Sequence, residues 1–392
     1  MKNRLLIFVT AVLVRAVVLY HFYPLLSSER YLAEPAAIAK SLLLNHIFGG
    51  VYGRPEATAW LAPGYPVLVA VVFWFFGIGT AAATKVLLIL NGLFSAFTAV
   101  ICYDLGKRLL SNTAGLIAGW AWALSAYVAS VSFLIWDTSA STLLLSLAVL
   151  LTLTRQHAVR SSSWIFVGAL WGIAALFSPA VLAPLAVLLM YFAARHRLQP
   201  ALLAAAGCAL ILVPWSVRNW RTFHQLFLVR DNVWAEIYFG NTSYALHPMG
   251  SSGVYQTMGE APFLRMLKER TLQWIASHPA DFAAMSVSRA LKFWTLPRFL
   301  DGTLPVCLSV LGLLFAVYRR RSSALPLLLI MVAYPLVYYM SVVFSRFRYL
   351  IDPIVYVFAG YGVQMIMEFA KALVRSRHPR QQTALMQGSS ER

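Results

Sequence analysis

Residues 164–194 read WIFVGALWGIAALFSPAVLAPLAVLLMYFAA, a run of 31 residues without a charge. A helix crossing the hydrocarbon of a bilayer takes about 20 residues, with roughly 17–25 tolerated, so the run is too long for one ordinary crossing. Near its middle stands Ser178-Pro179. Proline lacks the amide proton that a helix ladder needs, and its ring pushes the preceding residue out of the helical region. The stretch therefore predicts two short crossings joined by a tight turn. Every loop downstream changes sides according to whether the run is read as one crossing or two.

Eight further apolar runs are long enough to span, at 5–22, 81–103, 114–135, 138–154, 200–217, 303–318, 323–343 and 349–370, which makes ten crossings. With ten, the segments carrying Lys2 and Arg4, Lys107 and Arg108, Arg155 and Arg160, Arg195 and Arg197, Arg319 to Arg321, and the tail from Lys371 all fall on one side. Together they hold 16 of the 32 Lys and Arg but only 3 of the 14 acids (Asp104, Glu368, Glu391), against 15 and 11 on the opposite side. The bias in short loops toward Lys and Arg names the first side the cytoplasm. A single crossing over 164–194 would scramble that sorting. The expectation is an all-α polytopic membrane protein with both termini in the cytoplasm. Its parts are a membrane module over 1–217 with a first outer loop at 23–80, an outer segment over 218–302, C-terminal spans over 303–370, and a basic tail over 371–392.

Composition agrees. Of 392 residues 60% are apolar and 12% charged, where soluble domains run near 45–50% and 25%. The net charge of +18 would suggest a nucleic-acid partner if read alone, but a soluble basic domain could not hide so much hydrocarbon, and most of that excess is the cytoplasmic sorting signal. Disorder is excluded on the same ground. Cys102, Cys208 and Cys307 lie far apart in apolar runs, the expected place of small buried hydrophobes rather than of a disulfide framework or metal site. The first helix reads as a retained span, because Arg15 interrupts it and no small-residue cleavage pattern follows.

The outer loops hold amphipathic stretches. The apolar run at 66–78 is too short to span and suits the interface. Over 262–277 Phe263, Leu267, Thr271 and Trp274 share one helical face. Pro279 then opens a second helix, in which Phe282, Met285, Lys292 and Phe293 make a basic amphipathic face. Both helices suit the outer membrane surface.

Charges within or beside hydrocarbon are costly, about 2.5–3.5 kcal/mol each at a helix centre on insertion scales, and so tend to mark function. Arg15 lies about two turns below the outer end of the first helix, where it either snorkels to the headgroups or serves a site. Lys85 reads as a snorkeller. Asp104 has Lys107 and Arg108 at i+3 and i+4, the pattern of an ion-paired helix end. Asp137, at an outer turn, is either the N-cap of 138–154 or a site residue. Glu34 precedes Pro35 at the start of a helical pattern, where the helix dipole favours an anion. In SRFRYLIDP (345–353), Arg346 and Arg348 point the same way if the stretch is extended, and paired guanidinium groups there either suit phosphate oxygens or simply anchor a helix at the lipid headgroups. There is no Gly-rich phosphate loop, HExxH, GxSxG or CxxC. Asn241-Thr242-Ser243 fits a glycosylation acceptor, a triplet common by chance.

Several segments, in their order and spacing, resemble one family. They are EPAAIAKSLLLNHIFGG (34–50), TAWLAPGYPVLVAVVFWFFGIGTAAA (58–83), LNGLFSAFTAVICYDLGKRL (90–109), AGWAWALSAY (118–127), IWDTSASTLLL (135–145), VPWSVRNWRTF (213–223), RDNVWAEIYFGN (230–241) and SRFRYLIDP. The chain resembles the polytopic GT-C glycosyltransferases that use polyprenyl-phosphate-linked sugars, the protein-mannosyltransferase and aminoarabinose-transferase relatives, and most of all their bacterial glycosyltransferase-39-like branch. The resemblance implies a site at the outer face of a bacterial inner membrane and an acceptor that is a glycan, a lipid or a protein. It makes Glu34 the base for the acceptor hydroxyl and Asp137 a second acid. Arg346 and Arg348 would hold the donor phosphate, with Arg15 and Tyr65 as further substrate contacts. Two carboxylates are compatible with a divalent metal without demanding one. A transporter or flippase of a lipid-linked substrate is the alternative, which midplane charges and related halves would favour. A non-catalytic scaffold, in which these groups are unrelated, is another.

Overall fold

The computed structural model describes residues 1–26, 33–155, 163–243, 246–248, 253–295 and 302–377. Arg160 and the tail beyond Arg377 lie outside the described residues. Among the described residues all regular elements are helical, and the one extended pairing is an isolated bridge between Gly49 and Ala57.

In chain order, α1 (Lys2–Leu26) is followed by α2 (Ala33–Asn45), a 3-10 turn at Val51–Gly53, α3 (Gly64–Phe76) and α4 (Ala81–Leu109). Next come α5 (Asn112–Leu124), α6 (Ala126–Ser132) and α7 (Thr138–Thr154), then α8 (Ser163–Phe177), α9 (Leu182–Ala194) and α10 (Leu198–Phe223). The second long connection folds as α11 (Val233–Asn241), α12 (Val254–Met258), α13 (Glu260–Ser277) and α14 (Pro279–Trp294). The chain closes with α15 (Leu304–Tyr318), α16 (Ala324–Ala333), α17 (Leu336–Met340), α18 (Ser345–Tyr349) and α19 (Asp352–Arg377).

Each of the ten expected spans is occupied by helix. α1, α4, α10 and α19 are long and apolar enough to cross a membrane alone, and α5 with α6 qualifies as a pair bent by 59°. The remaining apolar helices are shorter. The break expected inside 164–194 is present: α8 ends at Phe177, Ser178 is extended (φ −140°, ψ 103°), and a 3-10 turn at Pro179–Val181 leads into α9. The protein is a multi-pass membrane protein.

Without water to squeeze out, membrane helices gain from close backbone approach at small residues. α8 and α10 meet this way: a Cβ on Gly168 would strike the Ala204 carbonyl, and one on Gly207 would strike that of Ile165. Gly312 and Gly362 bring α15 against α19 in the same fashion.

Three local expectations give way to tertiary contacts. Asp104 pairs with Arg4 of α1 at 2.9 Å rather than with its own helix, and Lys107 donates to the Tyr103 hydroxyl at 3.2 Å. Cys307 is exposed on α15, unlike the buried Cys102 and Cys208. Arg15 does not snorkel. It is 2% exposed and donates to Ala123 O at 2.6 Å, Trp122 O at 3.1 Å and Ser95 Oγ at 3.1 Å. Those carbonyls close the last turn of α5, where helices present unpaired acceptors and negative dipole. Arg15 thus fastens α1 to the bend between α5 and α6 through both of its terminal nitrogens.

Candidate active site

Glu34 stands in the first turn of α2. Its Oε1 accepts from the Tyr52 hydroxyl. Tyr52 belongs to the Val51–Gly53 turn, with its ring edge-on to Trp60 at 5.4 Å and to Tyr255 at 5.6 Å. Burial and then the neighbouring charge of Glu236 push the Glu34 carboxyl up to about 7, and Arg346 and Arg230 oppose that shift. A carboxyl poised there exchanges protons freely near neutral pH.

Asp137 occupies the N-cap position of α7, but its side chain caps no backbone amide. Oδ2 accepts instead from Ser141 Oγ at 3.2 Å. Burial raises its pKa, with Arg346 and Arg230 again pulling the other way. Asp137 and Glu34, 103 residues apart in sequence, therefore feel the same two guanidinium charges.

One of those charges comes from α18. The Tyr334 hydroxyl donates to Phe347 O at 2.9 Å and the Tyr127 hydroxyl to Ser345 O at 3.2 Å, which fixes this short helix at its start and its middle. The Arg346 guanidinium lies over Trp136 at 4.7 Å, over Phe347 at 5.3 Å and over Phe344 at 5.4 Å. Its Nε is buried without a hydrogen-bond partner among the described residues. Such a cation is oriented by aromatic faces while keeping donors available for an anion.

Arg348 is placed otherwise. The pairing of Arg346 with Arg348 rested on an extended segment, whereas α18 is helical and turns residues two apart by about 200°. Arg348 points into the core, 0% exposed, with Nε 2.8 Å from Asp352 Oδ1 and Nη1 3.3 Å from Trp294 O. Its partner is the acid one turn on, while Arg348 Nη2 and Asp352 Oδ2 are buried without a hydrogen-bond partner among the described residues. Tyr65 is also buried: its hydroxyl accepts from Asn91 Nδ2 at 2.9 Å, and the same nitrogen donates to Leu134 O at 2.8 Å. It ties α3 and α4 to the turn that carries Asp137, close enough to feel that carboxylate.

Two residues without an assigned role in the sequence reading belong to this cluster. The charge of Arg230 is felt at Glu34, Asp137, Tyr334 and Tyr338, and that of Glu236 at Glu34, while Glu236 accepts from Asn232 Nδ2 at 3.2 Å. Both lie in RDNVWAEIYFGN. No local pattern marked them, because Asp231 and Asn232 stand between Arg230 and the apolar start of α11. Asn241 of the same segment is buried, and its amide donates to Ile237 O and Met340 O at 2.8 Å each, so the glycosylation triplet is consumed by packing. A cavity of 230 Å³ lined by Arg54, Thr58, Tyr255 and Glu260 adjoins the aromatic cluster around Tyr52 but does not include Glu34.

Glu34 on a helix start and Asp137 at the next turn thus share the charge of a late arginine that lies over Trp136. The apo oligosaccharyltransferase of Archaeoglobus fulgidus superposes with a TM-score of 0.60 over 96% of this chain and 52% of that one, at 15% identity. The two chains share one fold. A second structure of that archaeal oligosaccharyltransferase, AglB in complex with an inhibitory peptide and a dolichol-phosphate, matches with a TM-score of 0.57 at 16% identity over 95% of this chain and 52% of that one. ArnT from Cupriavidus metallidurans, bound to undecaprenyl phosphate, gives 0.50 at 16% identity over 84% and 55%. The chain spans about half the length of these structures. No family model and no curated protein sequence matches it.

Proposed function

We propose that this protein is an integral-membrane inverting glycosyltransferase that moves a sugar from a polyprenyl-phosphate donor to an acceptor hydroxyl. The observation that carries the proposal is the convergence of Glu34, held near neutrality, with two guanidinium groups contributed by distant segments. The GT-C fold, shared with structures holding dolichol-phosphate and undecaprenyl phosphate, supports it.

In this reading the chain crosses the membrane ten times with its termini in the cytoplasm, and the site faces the exterior. Ionised Glu34 takes the proton of the acceptor hydroxyl. The acceptor oxygen attacks the anomeric carbon as the bond from that carbon to the phosphate oxygen breaks, and the electron pair leaves with the phosphate. Arg346 and Arg230 stabilise the departing charge, and the charge of Asp137 acts on both arginines. One displacement inverts the anomeric centre. General base catalysis contributes about 10²–10⁴-fold. Carboxylate oxygens would suit a hard divalent ion, but no three described His, Cys, Asp or Glu are grouped to hold one, and no step is routed through a metal.

Incubation of the protein in nanodiscs with a panel of labelled polyprenyl-phosphate sugars and acceptors tests the assignment. Release of free polyprenyl phosphate with label appearing on an acceptor is expected for at least one donor. Movement of intact donor between leaflets without bond cleavage would replace this reading with that of a flippase.

A further inference from the structure

α14 has three separate faces. At 100° per residue, Phe282, Ser286, Arg289 and Phe293 occupy one arc, and this is the packed side: Phe293 is 0% exposed and stacks on Tyr338 at 6.2 Å. Asp281, Ser288 and Lys292 form an exposed polar arc. Between them Ala280, Ala283, Ala284, Val287 and Leu291 fill an arc of about 100° with no charge, and all five are exposed, Val287 by 62% and Leu291 by 63%. The face expected from the sequence, Phe282 with Met285, Lys292 and Phe293, is instead divided between protein and water. α13 differs, because its apolar residues Phe263, Leu264 and Leu267 are buried in the aromatic cluster with Tyr238 and Tyr255.

We infer that α14 lies in the plane of the membrane surface and seats the Ala280–Leu291 face on lipid chains. A protein, a polar and an apolar side on one helix match the three media that meet where a membrane protein leaves the bilayer. α17, against which α14 packs, exposes Leu336 by 50% and Met340 by 41%, so the bare face continues an apolar surface that a membrane protein turns to lipid. The apolar arc is electrically neutral and mostly alanine, which suits shallow seating in chains rather than attraction to anionic headgroups.

The packed side carries the consequence. Arg289 donates to Gly240 O, to Asn241 Oδ1 at 3.0 Å and to Tyr339 O at 3.3 Å. Trp294 Nε1 donates to the Tyr339 hydroxyl at 2.7 Å, and Trp294 O accepts from Arg348. The lipid-seated helix thereby clamps the end of α11, which bears Glu236, to the segment that bears Arg346. The inference is independent of the reaction assigned to the site.

Nitroxide labels on single cysteines test it in the full chain, in phosphatidylcholine nanodiscs, on a Cys307→Ser background. At Ala284→Cys, Val287→Cys and Leu291→Cys, collisions with oxygen should exceed those with a water-soluble nickel chelate several-fold. At Asp281→Cys and Ser288→Cys the order should reverse. Nickel accessibility at 287 and 291 equal to that at 281 would show a face open to water and overturn the inference. Shielding of 287 and 291 from both agents would show a protein partner or a second copy instead, and would overturn it equally. All five labelled positions are exposed, so the substitutions leave packing intact.

Discussion

The Tyr52 hydroxyl donates to the Glu34 carboxylate, joining the Val51–Gly53 turn to the first turn of α2. Tyr52 holds a left-handed backbone conformation (φ 54°, ψ 34°), a state that costs a non-glycine residue of order 1–3 kcal/mol and is kept where surrounding structure over-determines it. Here Trp60 and Tyr255 fix the ring and the acid receives the hydroxyl. A donated hydrogen bond favours the ionised carboxylate. A base acts only when ionised, so transfer should rise with pH through about 7 and level off above it. Tyr52→Phe should move that limb to higher pH by up to about one unit. A profile of kcat/KM against pH checks this, and an unmoved limb in Tyr52→Phe would separate the tyrosine from the proton transfer.

The two late arginines should respond differently. Arg346→Gln removes a cation whose donors are unused by protein and should weaken donor binding about 10–100-fold, the value of one charged hydrogen bond, with little change in thermal stability. Arg348→Met strands the buried Asp352 carboxylate and should cost about 3–5 kcal/mol, read as a large drop in Tm. Arg348→Met with Asp352→Leu should recover most of it. Equal donor affinities for both single variants would contradict the separation.

Asp231 and Glu260 form a buried acid pair between the outer segments. Glu260 accepts from Ala59 N at 2.6 Å, the Tyr255 hydroxyl at 3.0 Å and the Thr58 hydroxyl. Burial, followed by the charge of Glu260, holds Asp231 protonated well above the usual Asp range. A group raised in the folded state contributes stability below its unfolded value and loses it as pH climbs toward the folded one. The wild-type Tm should therefore fall from the acid side toward neutral and alkaline pH, and Asp231→Asn, uncharged throughout, should flatten that fall. Parallel curves would assign the slope to other groups.

Arg15→Met should loosen the junction of α1 with the bend between α5 and α6. The loss is about 2–3 kcal/mol for hydrogen bonds from a buried charge, with donor affinity unchanged per folded molecule. A selective loss of donor binding at unchanged Tm would return Arg15 to the site.

Periodicity and charge sorting made the helices legible, down to the break at Ser178-Pro179, because hydrocarbon imposes one rule on every spanning segment. Glu34 and Asp137 were legible as isolated acids near expected helix starts. What the sequence hid were partnerships set by tertiary contact. Asp104 pairs with Arg4, 100 residues away, instead of the nearer Lys107 and Arg108. Arg346 and Arg348 look alike in sequence, and only the helical turn of α18 sends one to the aromatics and the other into the core. Arg230 and Glu236 gained their place from the packing of α11, which no local pattern reports.

The most direct measurement is single-turnover transfer by Glu34→Gln at saturating donor, with donor binding determined on the same preparation. Donor affinity within about twofold of wild type and transfer slowed by about 10²–10⁴-fold is the expected result. Transfer at the wild-type rate, or a loss of donor binding that accounts for the whole loss of transfer, would contradict the assignment of Glu34 as the base.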